Sequence, residues 1–423
     1  MVDGILKVQK ELFLCHHHNS IIWKKTNHMK SVNEKGREPS SSSSSLPPVI
    51  ANVRTDDNGV LQFVMKYVDI SFANAIRRTL LADIPCVVFR TFPESENRAT
   101  ILANTSRFNN EILKQRLSCV PIHCKELDID LLNKFRLEIN VTNTSDTILY
   151  VTTKDFNVVP KAPLAPSDII LSRDDLFPIS SSIDFVRLRP NIVDPLQPGE
   201  HIHMLCDFDI GTASENGMFN SVYIATYGLT PDPAKLDAEI ALRKTTDWKD
   251  MTEKEQLFVE TNFRLIEAER EAFARPFHYD FRVASVGVYR NSELVMKACD
   301  IMLTKLKRIK FLCEKSELLI KSASDKSVME NCFDIILENE DYTLGNVLEY
   351  FMHKLFFEES KLSFVAFKKW HPHDADGVLR VAYSRKSENE EAEIRKDVLV
   401  AATESMEIFR RIRRHFVPSV RLD

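Results

Sequence analysis

At 423 residues and 44% apolar side chains, the chain is long enough to bury two or three cores. Its formal net charge of −5 gives no general attraction to nucleic acid or to an anionic membrane, and no segment approaches the ~18 consecutive apolar residues of a membrane span. The eight cysteines form no CxxC pair, and Asp3, Lys7, Lys10 and Glu11 interrupt any secretory apolar core, so reduced thiols in an intracellular compartment are expected.

Residues 34–48 combine charge, a serine run, Pro39, Pro47 and Pro48, too polar to offset ordering entropy. The stretch 1–48 is therefore read as a disordered extension, with a short helix allowed over 5–14. Its Cys15, His16, His17 and His18 make a poor rigid metal site. Strand signals fill 50–69 around a turn at Asp56-Asp57-Asn58-Gly59. A helix over 72–82 stops before Pro85.

Residues 86–275 are heterogeneous, with strands expected at 135–141, 148–153, 201–209 and 221–227 and a charged helical stretch at 234–274. Strand character returns over 277–288. From Ser292 a long helix carries Val295, Ala298, Met302, Leu306, Ile309 and Cys313 on one face. Cys86, Cys299 and Cys332 lie in apolar runs and read as small core residues. The polar connector 321–330 reaches ~33 Å at most. After it come a strand at 333–337 and a helix with Leu344, Val347, Leu348, Phe351 and Leu355 on one side. Strands at 363–368 and 378–384 lead to a last helix bearing Ile394, Val398, Ala401, Ser405, Ile408, Ile412 and Phe416.

One phrase occurs twice. Asp69-Ile70-Ser71-Phe72-Ala73-Asn74-Ala75-Ile76 returns as Asp341-Tyr342-Thr343-Leu344-Gly345-Asn346-Val347-Leu348. Each copy follows an apolar strand run and opens an amphipathic helix, with Ser71 or Thr343 placed as the expected N-cap. Two such units, far apart, read as two related domains: a dimer written as a single chain.

Phe72-Ala73-Asn74-Ala75-Ile76-Arg77-Arg78-Thr79-Leu80-Leu81 with Ile84-Pro85, the segments 104–106 and 111–122, His278-Tyr279-Asp280 with 283–287, and His371-Pro372-His373 carry a resemblance over most of 50–417. The chain resembles the alpha-type assembly subunits of multisubunit DNA-directed RNA polymerases, with the large and small partners fused. Such fusion resembles the arrangement in large cytoplasmic DNA viruses, which implies host cytoplasm and virion as the setting. The resemblance implies an α+β fold, two alpha-type dimerisation domains closing as an intramolecular pseudo-dimer. The first comprises 49–85 plus 276–320, with a mainly-β domain inserted at 86–275. The connector 321–330 leads to the second, 331–417, and a tail at 418–423. Ile76, Leu80, Leu306, Ile309, Leu344, Val347, Leu348, Phe351, Ile408 and Ile412 are expected at the dimer interface. Relatives often hold a four-cysteine metal loop in the insertion. Only Cys119, Cys124, Cys206 and His123 stand there, so no metal and no cofactor are expected.

The resemblance implies a non-catalytic platform for the two largest polymerase subunits, with small accessory subunits as further partners. Nucleic acid would be met only through the complex, and no membrane is involved. Phe72, Asn74, Arg77 and Arg78 are the candidate large-subunit contact. Arg77 and Arg78 point about 100° apart, so they read either as solvated charges or as interface residues. Asn74 and Asn346 read either as local helix-start bonds or as recognition residues. Arg410, Arg411, Arg413 and Arg414 suit a helix C-terminus. They also motivate the alternative of a free-standing nucleic-acid-binding transcription regulator. No Walker loop, GxGxxG, GxSxG or DxDxD motif occurs, and His278 and His371 lack a nucleophile partner, so no catalytic residue is assigned.

Overall fold

The computed structural model describes residues 46–124, 129–163, 171–177, 182–193, 197–267, 270–323, 330–386 and 389–417. Most of the 1–48 extension, including Cys15 to His18, lies outside these residues. So do 324–329 of the connector and the 418–423 tail.

Strands β1 (Val49–Thr55) and β2 (Leu61–Lys66) form the expected hairpin. Asp56 closes it by accepting from the Val60 and Asn58 amides at 2.9 and 3.0 Å, and Gly59 supplies the left-handed φ of +76°. Leu61, Phe63 and Met65 alternate inward. Helix α1 (Ile70–Ala82) follows, but its cap is Asp69, whose side chain accepts from the Ser71 amide at 2.8 Å. The predicted hydroxyl cap is thus displaced by two residues. A carboxylate satisfies the positive helix start better than a hydroxyl, because its charge strengthens the bond.

The chain then leaves through β3 (Cys86–Val88), β4 (Ala99–Asn104), α2 (Asn110–Ser118), α3 (Ile129–Asn133), β5 (Phe135–Thr142), β6 (Leu149–Thr152), β7 (Asn157–Pro160), α4 (Arg173–Leu176), β8 (Asp184–Leu188), β9 (His201–Asp207) and β10 (Asp209–Gly211). Strands β4, β9, β5 and β7 make one antiparallel sheet in that order, β6 pairs β8, and β3 pairs β10. This block has its own apolar core, built around Phe89, Leu113, Phe135, Phe156 and Phe185.

Next come β11 (Val222–Pro231), α5 (Pro233–Thr245), α6 (Glu253–Glu267), β12 (Ala274–Ser285) and α7 (Asn291–Glu314). The first sheet has the order β1-β2-β12-β11. Strand β11, assigned by sequence to the 86–275 insertion, is therefore an edge of the first sheet. Its partner β12 is long and already pairs β2 along one side, so its other side needs a second partner for its N–H and C=O groups. The single helical stretch predicted at 234–274 is two helices around a small cluster of Leu236, Ile240, Trp248 and Phe263.

A second sheet, β13-β14-β16-β15, uses β13 (Ile320–Ser322), β14 (Cys332–Leu337), β15 (Leu362–Lys368) and β16 (Gly377–Tyr383). Strand β13 runs into ground expected of the connector, because Ile320 to Ser322 pair with β14. Between these strands lies α8 (Tyr342–Met352), capped by Asp341 on the Thr343 amide at 2.8 Å. It passes into a π-helical turn at His353–Phe357. Helix α9 (Glu390–Arg414) closes the chain. Gly345 and Gly377 admit the Phe367 ring; a Cβ on either would come within 2.3 Å of it. One continuous apolar core contains side chains from the β1-β2-β12-β11 and β13-β14-β16-β15 sheets and from α1, α7, α8 and α9.

Candidate assembly interface

Helix α1 packs on α8, and α7 packs on α9. Phe72 sits where these elements meet, its ring centroid 6.0 Å from Tyr350, 5.9 Å from Phe351 and 5.2 Å from Phe409. It is 1% exposed. Phe72 therefore cannot present itself to another subunit; an aromatic ring on the α1 face that also carries Ile76 and Leu80 is drawn into the core by the hydrophobic effect.

Of the predicted interface residues, Ile76, Leu80, Leu306, Ile309, Leu344, Val347, Leu348, Phe351 and Ile412 are all buried in this core. Ile408 is only half-buried against it, and Phe409 takes the inward position. The buried face of α9 also takes in Ala402 and Met406, beside the expected Ala401 and Ser405.

Polar groups rim the apolar contact. Arg78 donates to Thr343 Oγ1 at 2.7 Å and to Asp341 Oδ2 at 2.5 Å, gripping the N-terminus of α8. Asn74 and Arg77 pair with each other instead: Asn74 Oδ1 accepts from Arg77 Nε at 3.1 Å and Nη2 at 2.7 Å, and both stay half-exposed. Further round, Lys305 reaches Asp83 at 3.1 Å and Glu340 at 3.4 Å. Arg308 reaches Glu338 at 3.4 Å, and Arg413 reaches Asp300 at 2.6 Å. Burial opposes ionisation of Asp341, yet the Thr343 bonds and Arg78 outweigh it and hold the carboxyl below its ordinary range. Burial raises Glu340 despite Lys305. Burial, helped by the Asp69 charge, pushes Tyr350 up to about 12.

Sequence reasoning missed Lys305, Glu340, Asp300 and Phe409. Lys305 stands just before Leu306 of the apolar stripe, as a g charge flanks a coiled-coil seam, and that signal was readable. Its acidic partners, far away in the chain, were not.

Replacing Arg78 with alanine is expected to cost under about 1 kcal/mol, because the pair is partly solvated. It should speed amide exchange at the start of α8 while leaving the insertion unaffected. Unchanged protection there would refute the grip.

The basic cluster is largely occupied. Arg411 donates to Glu407 at 2.8 Å, Arg410 lies 3.9 Å from the same carboxylate, and Arg413 holds Asp300. Arg414 remains exposed. Among the described residues no group of three or more His, Cys, Asp or Glu side chains is placed to hold a metal, and no helix is long and apolar enough to cross a membrane. Cys124 and Cys206 are buried in the insertion, and Cys119 is exposed. His278 Nδ1 lies 2.7 Å from the Pro276 carbonyl, and His371 Nδ1 accepts from the His373 amide at 3.1 Å.

A family model described as the RNA polymerase Rpb3/Rpb11 dimerisation domain matches residues 62–306, more than half of the chain. The human protein named DNA-directed RNA polymerases I and III subunit RPAC1 is 27% identical over 300 residues, covering 60% of this chain and 82% of that protein. Subunit 3B of RNA polymerases IV and V from Arabidopsis thaliana is 22% identical over 59% of the chain and 86% of its own length. Subunit Rpo3 of the Pyrococcus furiosus RNA polymerase is 31% identical over 25% of the chain and 41% of its own.

Proposed function

The chain belongs to the RNA polymerase Rpb3/Rpb11 dimerisation-domain family, and from that membership we propose that it is the non-catalytic assembly platform of a DNA-directed RNA polymerase. In this reading the units around α1/α7 and α8/α9 are the large and small partners of an alpha-type pair. They are fused so that they close as an intramolecular pseudo-dimer. The observation that carries it is the single apolar core centred on Phe72, to which both units contribute. Covalent fusion replaces a bimolecular encounter with an effective concentration of order mM, so pairing no longer depends on expression level.

The closed pair then offers its outer surfaces to the two largest subunits and to small accessory subunits. Nucleic acid is met through the complex. The setting is a reducing intracellular compartment; if the fusion is of the viral kind, it is the host cytoplasm and the virion.

With Phe72 buried and the Arg78 guanidinium held by Thr343 and Asp341, the large-subunit contact on α1 reduces to Asn74 and Arg77. Arg suits such a site because its planar fork pairs bidentately with carboxylates. The paired change Asn74→Lys/Arg77→Glu in a tagged full chain is expected to leave the fold intact and to reduce recovery of the two largest subunits severalfold. Equal recovery would remove this surface. If the unaltered tagged chain recovers no polymerase subunits at all, the platform reading itself fails.

A further inference from the structure

The two repeated units can be superposed residue by residue from backbone landmarks. Tyr67 and Asn339 both adopt a left-handed φ, +61° and +56°, two residues before the capping Asp69 and Asp341. This sets Lys66 against Glu338 and Val68 against Glu340. Helices α7 and α9 bury matching positions when Val295 is set against Ile394: Met302 then meets Ala401, Leu306 meets Ser405 and Cys313 meets Ile412, all buried. In this frame Lys305, Arg308 and Glu314 correspond to Glu404, Glu407 and Arg413, and Asp300 corresponds to Leu399.

We propose that the rim ion pairs Arg308–Glu338, Lys305–Glu340 and Arg413–Asp300 are a sorting code, which lets each unit accept the other and reject a second copy of itself. The inference rests on the pseudo-dimer reading. Were two first units to pair, Arg308 would face Lys66, Lys305 would face Val68, and Glu314 would face Asp300. Were two second units to pair, Glu407 would face Glu338, Glu404 would face Glu340, and Arg413 would face Leu399. Each of the three attractions is lost or reversed in both mispairings. Like charges brought together at a rim act as the repulsive element that specificity requires.

The Arg78 grip does not take part in rejecting a second first unit. There it would find Asp69 and Ser71, which match Asp341 and Thr343. Discrimination against that pairing falls to the other three pairs. In a pairing of two second units, Tyr350 stands where Arg78 would be, so that grip is lost as well. A fused chain that lacked such a code would be exposed to pairing of like units from neighbouring copies, a route to open assemblies.

The test uses the full chain with Asp300→Arg/Glu338→Arg, two side chains about half exposed, so folding is not at stake. The double variant is expected to show severalfold faster amide exchange over α8. Its mass by sedimentation should rise with concentration toward two chains, since the guanidinium introduced at position 338 now attracts Glu407 of another copy. Adding Arg308→Glu/Arg413→Glu restores both pairs within the chain with reversed polarity and should return the amide protection of α8 to that of the parent. High salt should shrink the difference between variant and parent by screening. A double variant indistinguishable from the parent overturns the code, and so does failure of the fourfold variant to regain the protection of α8. Phe72→Asp separates this from the underlying reading. It should expose α1 and α8 whatever the charges, and if it does not, the pairing of the units is itself refuted.

Discussion

Phe72→Ala is expected to destabilise the chain by about 3–5 kcal/mol, the range for emptying a large aromatic site in a packed core. Three rings converge on this side chain from α8 and α9, so the cavity would open at the contact between the two units. The loss should appear as a lowered denaturant midpoint and as exchange in α1, α8 and α9. The insertion has a separate core and serves as an internal reference that should hardly change. A loss below about 1 kcal/mol would mean that the site collapses around the gap and that Phe72 is not central.

The second large effect is expected on the second sheet. Asp334 and Arg380 are cross-strand partners on β14 and β16, joined at 2.6 Å (Nε to Oδ1) and 2.8 Å (Nη2 to Oδ2), with side chains only 11% and 9% exposed. Arg380→Leu strands a buried carboxylate and should cost about 3–5 kcal/mol. The double change Arg380→Leu/Asp334→Leu should recover most of that, because an apolar pair of similar volume carries no desolvation penalty. Thermal or urea unfolding of the three proteins decides the matter. A double variant as damaged as the single would show that the pair contributes something beyond mutual neutralisation.

The long amphipathic helices were legible because their apolar periodicity extends over many turns, which averages out single misplacements. Even so, one position of the α9 stripe was misread, with Ile408 chosen where Phe409 points inward. Short elements of the insertion were lost. Helix α2 buries only Leu113, Leu117 and Ser118, too few to register as a period. The strand expected at 221–227 was placed with the insertion, whereas β11 pairs with β12 in the first sheet, because hydrogen-bond partners are not written in local sequence. The caps were set on Ser71 and Thr343 although Asp69 and Asp341 were in the same phrase, since both residue types are good caps and only geometry chooses between them.

Of the candidate contact residues, the split between Arg77 and Arg78 was readable from helix geometry. Their destinations were not. Arg78 finds Thr343 and Asp341 from the far end of the sequence, while Arg77 turns to its neighbour Asn74.

The small β3–β10 ribbon has a kinetic consequence. Strand β2 must wait for β12, synthesised much later, before the first sheet can form, and so non-local a pairing is slowed by the entropy of the loop it closes. The ribbon joins Cys86 to Gly211 and Val88 to Asp209, so once the intervening block has collapsed on its own core, the excursion enters and leaves at one point. The effective loop between β2 and β12 then loses the excised block and shrinks to the stretches 67–85 and 212–273. Early folding of the insertion thereby shortens the search for the rest of the molecule.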